Sequence, residues 1–430
     1  MRTPSPRGAL YPSVEELTQG ARALVARAPG ELRMRPVGSS RAGRPLWLLS
    51  AGHGARHLLT VAGAHANEPV GGASALRLAR LLAHRPAALR RRDCTWHILL
   101  CLDPDGARLA HGWQPEEPAP SLEECHRDFY RPEFACHPES LPAPGGDGER
   151  LPESAALVRL LDELRPLAQF TLHGIEFGGA FTMQTGEVPG AARAFRDTAA
   201  RLRIPLDDRP GDGPDWEPDP PGVLRPAAGD RGSERDPSGF VAESTWLYPR
   251  RHGTLTALVE APAWAAPAVS DPRPAPDPRR EGARAAELLL ARTGELRALL
   301  GSAPAGGVPE DLLPLHTAAR ELLAVAPSVA AGWTRERGGS RGHFATLDVA
   351  ARRIPLRAAA MARRALAGTD PVTADALTAL VGEWCRELGK TYELRWVPVS
   401  AQTALHVRTM LDLAARLTGP GRSPGRFPGR

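Results

Sequence analysis

Two side chains three positions apart, His65 and Glu68, lie on a stretch built to present a metal ligand pair. The run Leu58-Leu59-Thr60-Val61-Ala62 is apolar and β-branched and breaks at Gly63. It continues as Ala64-His65-Ala66-Asn67-Glu68-Pro69 and then feeds a helical pattern over residues 74–83. The pattern predicts a strand, a loop and a helix, with an imidazole nitrogen and a carboxylate oxygen presented where the strand ends. Those donors suit a divalent zinc ion. In a chain with 13 histidines, His-x-x-Glu arises by chance on the order of once, so a polar turn capping the next helix is the competing reading. A third donor, His173 after the apolar run Phe170-Thr171-Leu172, favours the metal.

The elements that must position these residues alternate along the chain. Ser13-Val14-Glu15-Glu16 has the form of a capping box, and Leu17, Ala21, Leu24 and Val25 recur at helical spacing behind it. A polar glycine turn over residues 37–45 enters an apolar strand at residues 46–49. Another strand, residues 96–102, ends in Asp103-Pro104-Asp105-Gly106. Strands and helices in this alternation predict an α/β fold, a mostly parallel mixed sheet flanked by helices, with sites at the C-terminal strand ends. Residues 205–239 and 262–280 are dense in proline, glycine and charge and are read as irregular insertions. Beyond residue 304 alanine, leucine and arginine dominate. Helices are expected there at 311–325, 345–367 with a kink at Pro355, 373–388 and 400–417. The organisation read from this is a catalytic domain over 1–304, an appended C-terminal helical domain over 305–418 and a flexible basic tail over 419–430.

Composition removes several classes of function. With 430 residues and 42% apolar content the chain can bury a large core. Its net charge of +5 comes from 54 basic residues interspersed with 49 acidic ones, not from basic blocks, so nucleic acid is not the expected partner. All the basic residues but Lys390 are arginine, which reflects a GC-rich coding bias rather than a binding surface. No apolar run is long enough to span a bilayer and the first residues lack an export signal, so a cytoplasmic protein with no membrane partner is expected. Five cysteines at irregular spacing speak against a disulfide framework.

The order of several motifs resembles the zinc carboxypeptidases of the carboxypeptidase A family: Gly38-Ser39-Ser40-Arg41-Ala42-Gly43-Arg44-Pro45-Leu46, the His65 loop, Asp103-Pro104-Asp105-Gly106, Glu124-Cys125-His126-Arg127-Asp128-Phe129, Leu172-His173-Gly174 and Thr256-Ala257-Leu258-Val259-Glu260. The resemblance spans roughly residues 10–300 and implies a carboxypeptidase-like catalytic domain. It implies that His65, Glu68 and His173 hold one zinc ion per chain and leave a fourth position for water, as catalytic zinc sites do. Glu260 falls on the family's catalytic glutamate and would act as general base. The resembling segment Thr391-Tyr392-Glu393-Leu394 is its competitor. Arg127, with His126 where the family has asparagine, falls on the clamp for a substrate's terminal carboxylate. Glu124 takes the place of the aspartate that orients a zinc-bound histidine. Arg108 lies in the interval that supplies the oxyanion-stabilising arginine, and Tyr248 is the candidate to close over substrate from a lid. Glu243 is a candidate partner for a basic substrate side chain.

These implications converge on a zinc metallocarboxypeptidase, a hydrolase acting on a peptide or small amide substrate, with the C-terminal helices as the candidate surface for homo-oligomerisation. One rival is an N-acyl amino acid deacylase resembling the succinylglutamate desuccinylase and aspartoacylase group, whose Gly-x-His-x-Asn-Glu-Pro loop is matched by residues 63–69. Another is a non-catalytic binding module on the same fold.

Overall fold

The computed structural model describes residues 11–85, 87, 93–110, 119–142, 150–210, 216–218, 221–226, 244–301 and 307–419. Glu243, much of the 205–239 insertion and the tail beyond Gly419 lie outside them. Ser13 and Glu16 form the expected reciprocal cap: the Ser13 hydroxyl accepts from the Glu16 N–H at 3.1 Å and the Glu16 carboxylate from the Ser13 N–H at 2.8 Å. Helix α1 (Val14–Arg27) then buries Leu17, Ala21 and Leu24. Strands β1 (Leu32–Ser39) and β2 (Pro45–Ala51) pair across the glycine turn. Strand β3 (Arg56–Val61) runs through the His65 loop into α2 (Val70–Ala83), which is followed by β4 (Cys94–Leu99) and the short helices α3 (Pro104–Leu109) and α4 (Leu122–Arg127). Helix α5 (Pro152–Leu164) precedes β5 (Ala168–Gly178), β6 (Phe181–Gln184), α6 (Ala191–Arg201), β7 (Trp216–Pro218), β8 (Val223–Pro226) and β9 (Leu255–Ala265). The chain continues as α7 (Pro278–Leu300), α8 (Leu313–Trp333), α9 (Arg341–Leu366), α10 (Pro371–Thr391), β10 (Arg395–Trp396) and α11 (Val399–Leu417).

The strands form one ten-stranded mixed sheet in the order β1-β2-β4-β3-β5-β9-β6-β8-β7, with β10 beside β9. Its centre, β4-β3-β5-β9, is parallel, while β1, β2, β6 and β10 join antiparallel. Parallel pairing therefore dominates the strands that carry the site and recurs between β6 and β8. Successive side chains of a strand face opposite ways, and β3 shows the consequence. Leu58 joins the core under α1, α2 and α11, whereas Leu59 and Val61 join the core under α5.

Helices α7 to α10 pack on one another around Leu296, Leu315, Met361, Leu377 and Trp384, and they meet the sheet where Phe177 of β5 and Trp264 of β9 enter the same core. Helix α9 runs unbroken through Pro355. The boundary expected at residue 304 does not follow the packing. Helix α7 packs with α8 and α9, while β10 pairs with Ala265 and Trp264 of β9, and α11 lays Val407, Met410 and Leu413 on the sheet core. The helical layer is thus enclosed between two sheet-bound elements. The irregular segment expected over 262–280 also begins later, because β9 continues through Ala263, Trp264 and Ala265, all buried. All five cysteines are free thiols, and no helix among the described residues is long and apolar enough to cross a membrane.

Candidate metal centre

Close backbone contacts bring the three expected ligands together. Gly63 lies at φ +61°, and a side chain there would strike the Cys101 sulfur at 2.7 Å, so the chain can turn sharply out of β3. At Gly174 a Cβ would fall 2.7 Å from Val70 Cγ1, and at Gly71 2.9 Å from the Leu172 carbonyl oxygen. The first turn of α2 therefore rests directly on β5, and Glu68, just before that turn, reaches His173. Gly174→Ala is expected to push the two elements apart and lower unfolding stability by about 1–3 kcal/mol, read as a lower urea midpoint.

His65 Nδ1 lies 2.8 Å from Glu68 Oε1, His173 Nδ1 lies 2.9 Å from Glu68 Oε2, and the two Nδ1 atoms are 3.2 Å apart. Among the described residues these are the cluster of histidine and carboxylate donors that could hold a metal, their ligand atoms all within 4.8 Å of one another. Zinc–nitrogen bonds of 2.0–2.1 Å in a tetrahedron separate ligand atoms by about 3.3 Å, close to what is seen. All three residues are buried. Burial opposes the Glu68 charge, yet the neighbouring imidazoles of His65 and His173 hold its carboxyl well below the usual range. Burial pushes His65 down as well, which favours the neutral, lone-pair form that a metal requires.

The far nitrogens of both imidazoles turn toward Glu139, which is buried: its Oε2 is 3.2 Å from His173 Nε2 and 3.7 Å from His65 Nε2. Its Oε1 accepts from the Thr171 hydroxyl at 2.6 Å. A carboxylate behind a histidine fixes the ring's tautomer and orientation, so Glu139 is placed to orient His173, while its charge faces His65 at the longer distance. Glu139→Ala is expected to weaken zinc binding about 10–100-fold, measured by competition with a chromophoric chelator. Glu124, expected in this role, instead caps α4 through Ser121 at the surface. Nothing in its local sequence marked Glu139; its place depends on how the segment after α4 folds back.

Glu260 stands directly across from His173 in the parallel β5–β9 register, so the two side chains share a face of the sheet one strand spacing, about 4.8 Å, apart. The competing segment at 391–394 is remote in role: Tyr392 donates its hydroxyl to Asp348 at 2.6 Å in the helical layer.

The remaining expected site residues are placed elsewhere. Arg108 is exposed on the last turn of α3 and pairs with Glu15 of α1. The guanidinium beside the centre belongs to Arg131, whose Nη1 donates to Glu68 Oε1 at 3.2 Å and Asn67 Oδ1 at 3.4 Å. Arg127 is exposed, and its carbonyl accepts from Arg363. His126, fully buried, donates Nδ1–H to the Leu122 carbonyl at 2.8 Å and stacks between Phe129 and Phe177. It packs in the core. Tyr248 donates its hydroxyl to Asp162 at 3.0 Å and lies under the Arg251 guanidinium, so it is held against α5 rather than over the centre. Trp246 does reach the centre, its ring edge-on to His173 at 5.8 Å.

Residues 17–128 match the family model described as zinc carboxypeptidase, a span that includes His65 and Glu68. No curated protein matches the chain. Among solved structures, the chain is similar to a protein of Shewanella denitrificans assigned as a metallopeptidase, at 17% identity over 61% of this chain and 90% of that one, with a TM-score of 0.41. A metallo-carboxypeptidase of Burkholderia cenocepacia is 17% identical over 58% of this chain and 60% of its own, at TM-score 0.38. Carboxypeptidase A of Helicoverpa armigera is 15% identical over 59% and 64%, at TM-score 0.36.

Proposed function

We propose that this chain, matched by the zinc carboxypeptidase family over residues 17–128, is a zinc-dependent hydrolase that cleaves a C-terminal peptide bond or a related amide, with Glu260 as general base. One observation carries the reading: His65 Nδ1, His173 Nδ1 and the Glu68 carboxylate converge with Glu260 in register beside them. Bound by these three residues, zinc would supply Lewis acidity and lower the pKa of a water to about 7. Glu260 takes the proton of the attacking water and delivers it to the leaving amine nitrogen. Arg131, fixed by Glu68 and Asn67, presents a guanidinium to an anionic group of the substrate, either its carboxylate or the oxygen that gains charge during attack. Trp246, packed against His173, limits the access of bulk water.

A second reading, an N-acyl amino acid deacylase, is favoured by Asn67, the loop position shared with that group, because its amide contacts both Arg131 and Glu176 at the centre. The test is metal analysis of the purified protein together with assays on blocked dipeptides, their C-terminal amides and N-acyl amino acids, with and without chelator. One zinc per chain and chelator-sensitive cleavage of the free-acid dipeptides support the first reading. Preference for N-acyl amino acids establishes the second, and absence of stoichiometric zinc overturns both.

A further inference from the structure

The polar contacts around Glu68 do not end at the metal centre. Asn67 donates its Nδ2–H to Glu176 Oε1 at 3.2 Å, and Glu176, three residues beyond His173 on β5, binds Arg357 of α9 through Oε2 at 2.5 Å. Arg357 and Glu176 are both buried, and Arg357 comes from the helical layer, 181 positions along the chain. We propose that Glu176, clamped by Arg357, is a positioning residue for the metal ligand Glu68, so that the helical layer completes the metal centre. The inference rests on the zinc reading above.

An ionised carboxylate only accepts, so Glu176 draws the NH2 end of the Asn67 amide toward itself and leaves the carbonyl end for Arg131. With Asn67 turned that way, Arg131 has two acceptors, Asn67 Oδ1 and Glu68 Oε1, and its plane is fixed against the ligand. A neutral amide at 176 could present either end and would lose that control. Stability alone does not account for the pair, since well-packed apolar side chains commonly replace a buried ion pair without loss, and the surrounding core already contains Phe177 and Trp264.

The test uses the full chain and reads zinc affinity by chelator competition and the visible absorption of the cobalt-substituted protein. Asn67→Ala interrupts the relay without stranding a buried charge, and the double variant Glu176→Gln with Arg357→Met removes both charges together. Each is expected to weaken zinc binding about 10–100-fold, as changes behind metal ligands do, and to shift the cobalt spectrum. Combining all three substitutions should add little more, because residues of one network are not additive. Arg357→Lys, which keeps a cation opposite Glu176, should retain most of the affinity. Folded variants with unchanged affinity and an unshifted cobalt spectrum would overturn the relay while leaving the zinc reading intact. An unmodified chain that binds no zinc overturns both.

Discussion

Glu68→Ala is expected to leave the purified protein without bound zinc and without hydrolytic activity. Its carboxylate is the hub of the centre: it meets His65 Nδ1, His173 Nδ1 and Arg131 Nη1 and accepts from the Gly174 backbone N–H at 3.2 Å. Alanine removes a ligand outright, so the loss should exceed the roughly 10–100-fold that changes behind the ligands produce. It also leaves the Arg131 guanidinium facing two imidazoles with no carboxylate between them, which adds repulsion to the lost bond. The same hub predicts a proton count. Burial works against charge on His173, but Glu139 and Glu68 beside it raise its pKa well above the ordinary histidine value, which favours a protonated ring in the metal-free centre. Zinc binding should therefore release a proton, and apparent affinity should rise with pH until the raised pKa is passed. Calorimetry in buffers of different ionisation enthalpy reads that proton directly. Metal analysis of Glu68→Ala reads the ligand loss, and full zinc content in that variant would contradict the assignment.

The parts of the site that a sequence can express locally were legible in it. His65 and Glu68 share one turn after an apolar strand, and His173 and Glu260 each close an apolar run in the sequence; both lie midway along β5 and β9, where the parallel register sets them side by side. The parts set by side-chain direction were not. His126 and Arg127 are adjacent on α4, and neighbours on a helix point about 100° apart, so one faces the core and the other the solvent although a motif treats them as a pair. Arg108 has the right interval but lies on the last turn of α3 toward α1. Arg131, Glu139 and Glu176 meet the centre through tertiary packing that no spacing encodes. The division of the chain was obscured for a similar reason. An amphipathic helix such as α11 has the same pattern whether it covers a sheet or other helices, and β10 is only two residues long. Trp264 and Ala265 extend β9 past a proline at 262 that reads as a strand end, because the far end of the strand is covered by β5 on one side and β10 on the other.

Glu260→Gln separates metal binding from proton transfer, and it is expected to keep zinc while losing nearly all turnover. Glutamine keeps the shape of the side chain, and position 260 lies within the sheet between His173 of β5 and Phe181 of β6, so neither the fold nor the ligand geometry should move. What changes is basicity: an amide cannot accept the proton of the attacking water or return it to the amine. General-base groups contribute about 10²–10⁴ in rate, which corresponds to about 2.7–5.5 kcal/mol of barrier. The fall should appear in kcat with KM little altered, since the residue acts on the reacting water rather than on substrate recognition. Glu260→Asp provides the complementary case: it restores a carboxylate but withdraws it by one methylene, and it should recover part of the rate. Zinc content equal to that of the unmodified protein, combined with undiminished turnover in Glu260→Gln, would remove Glu260 from the chemistry and leave the metal centre in search of another base.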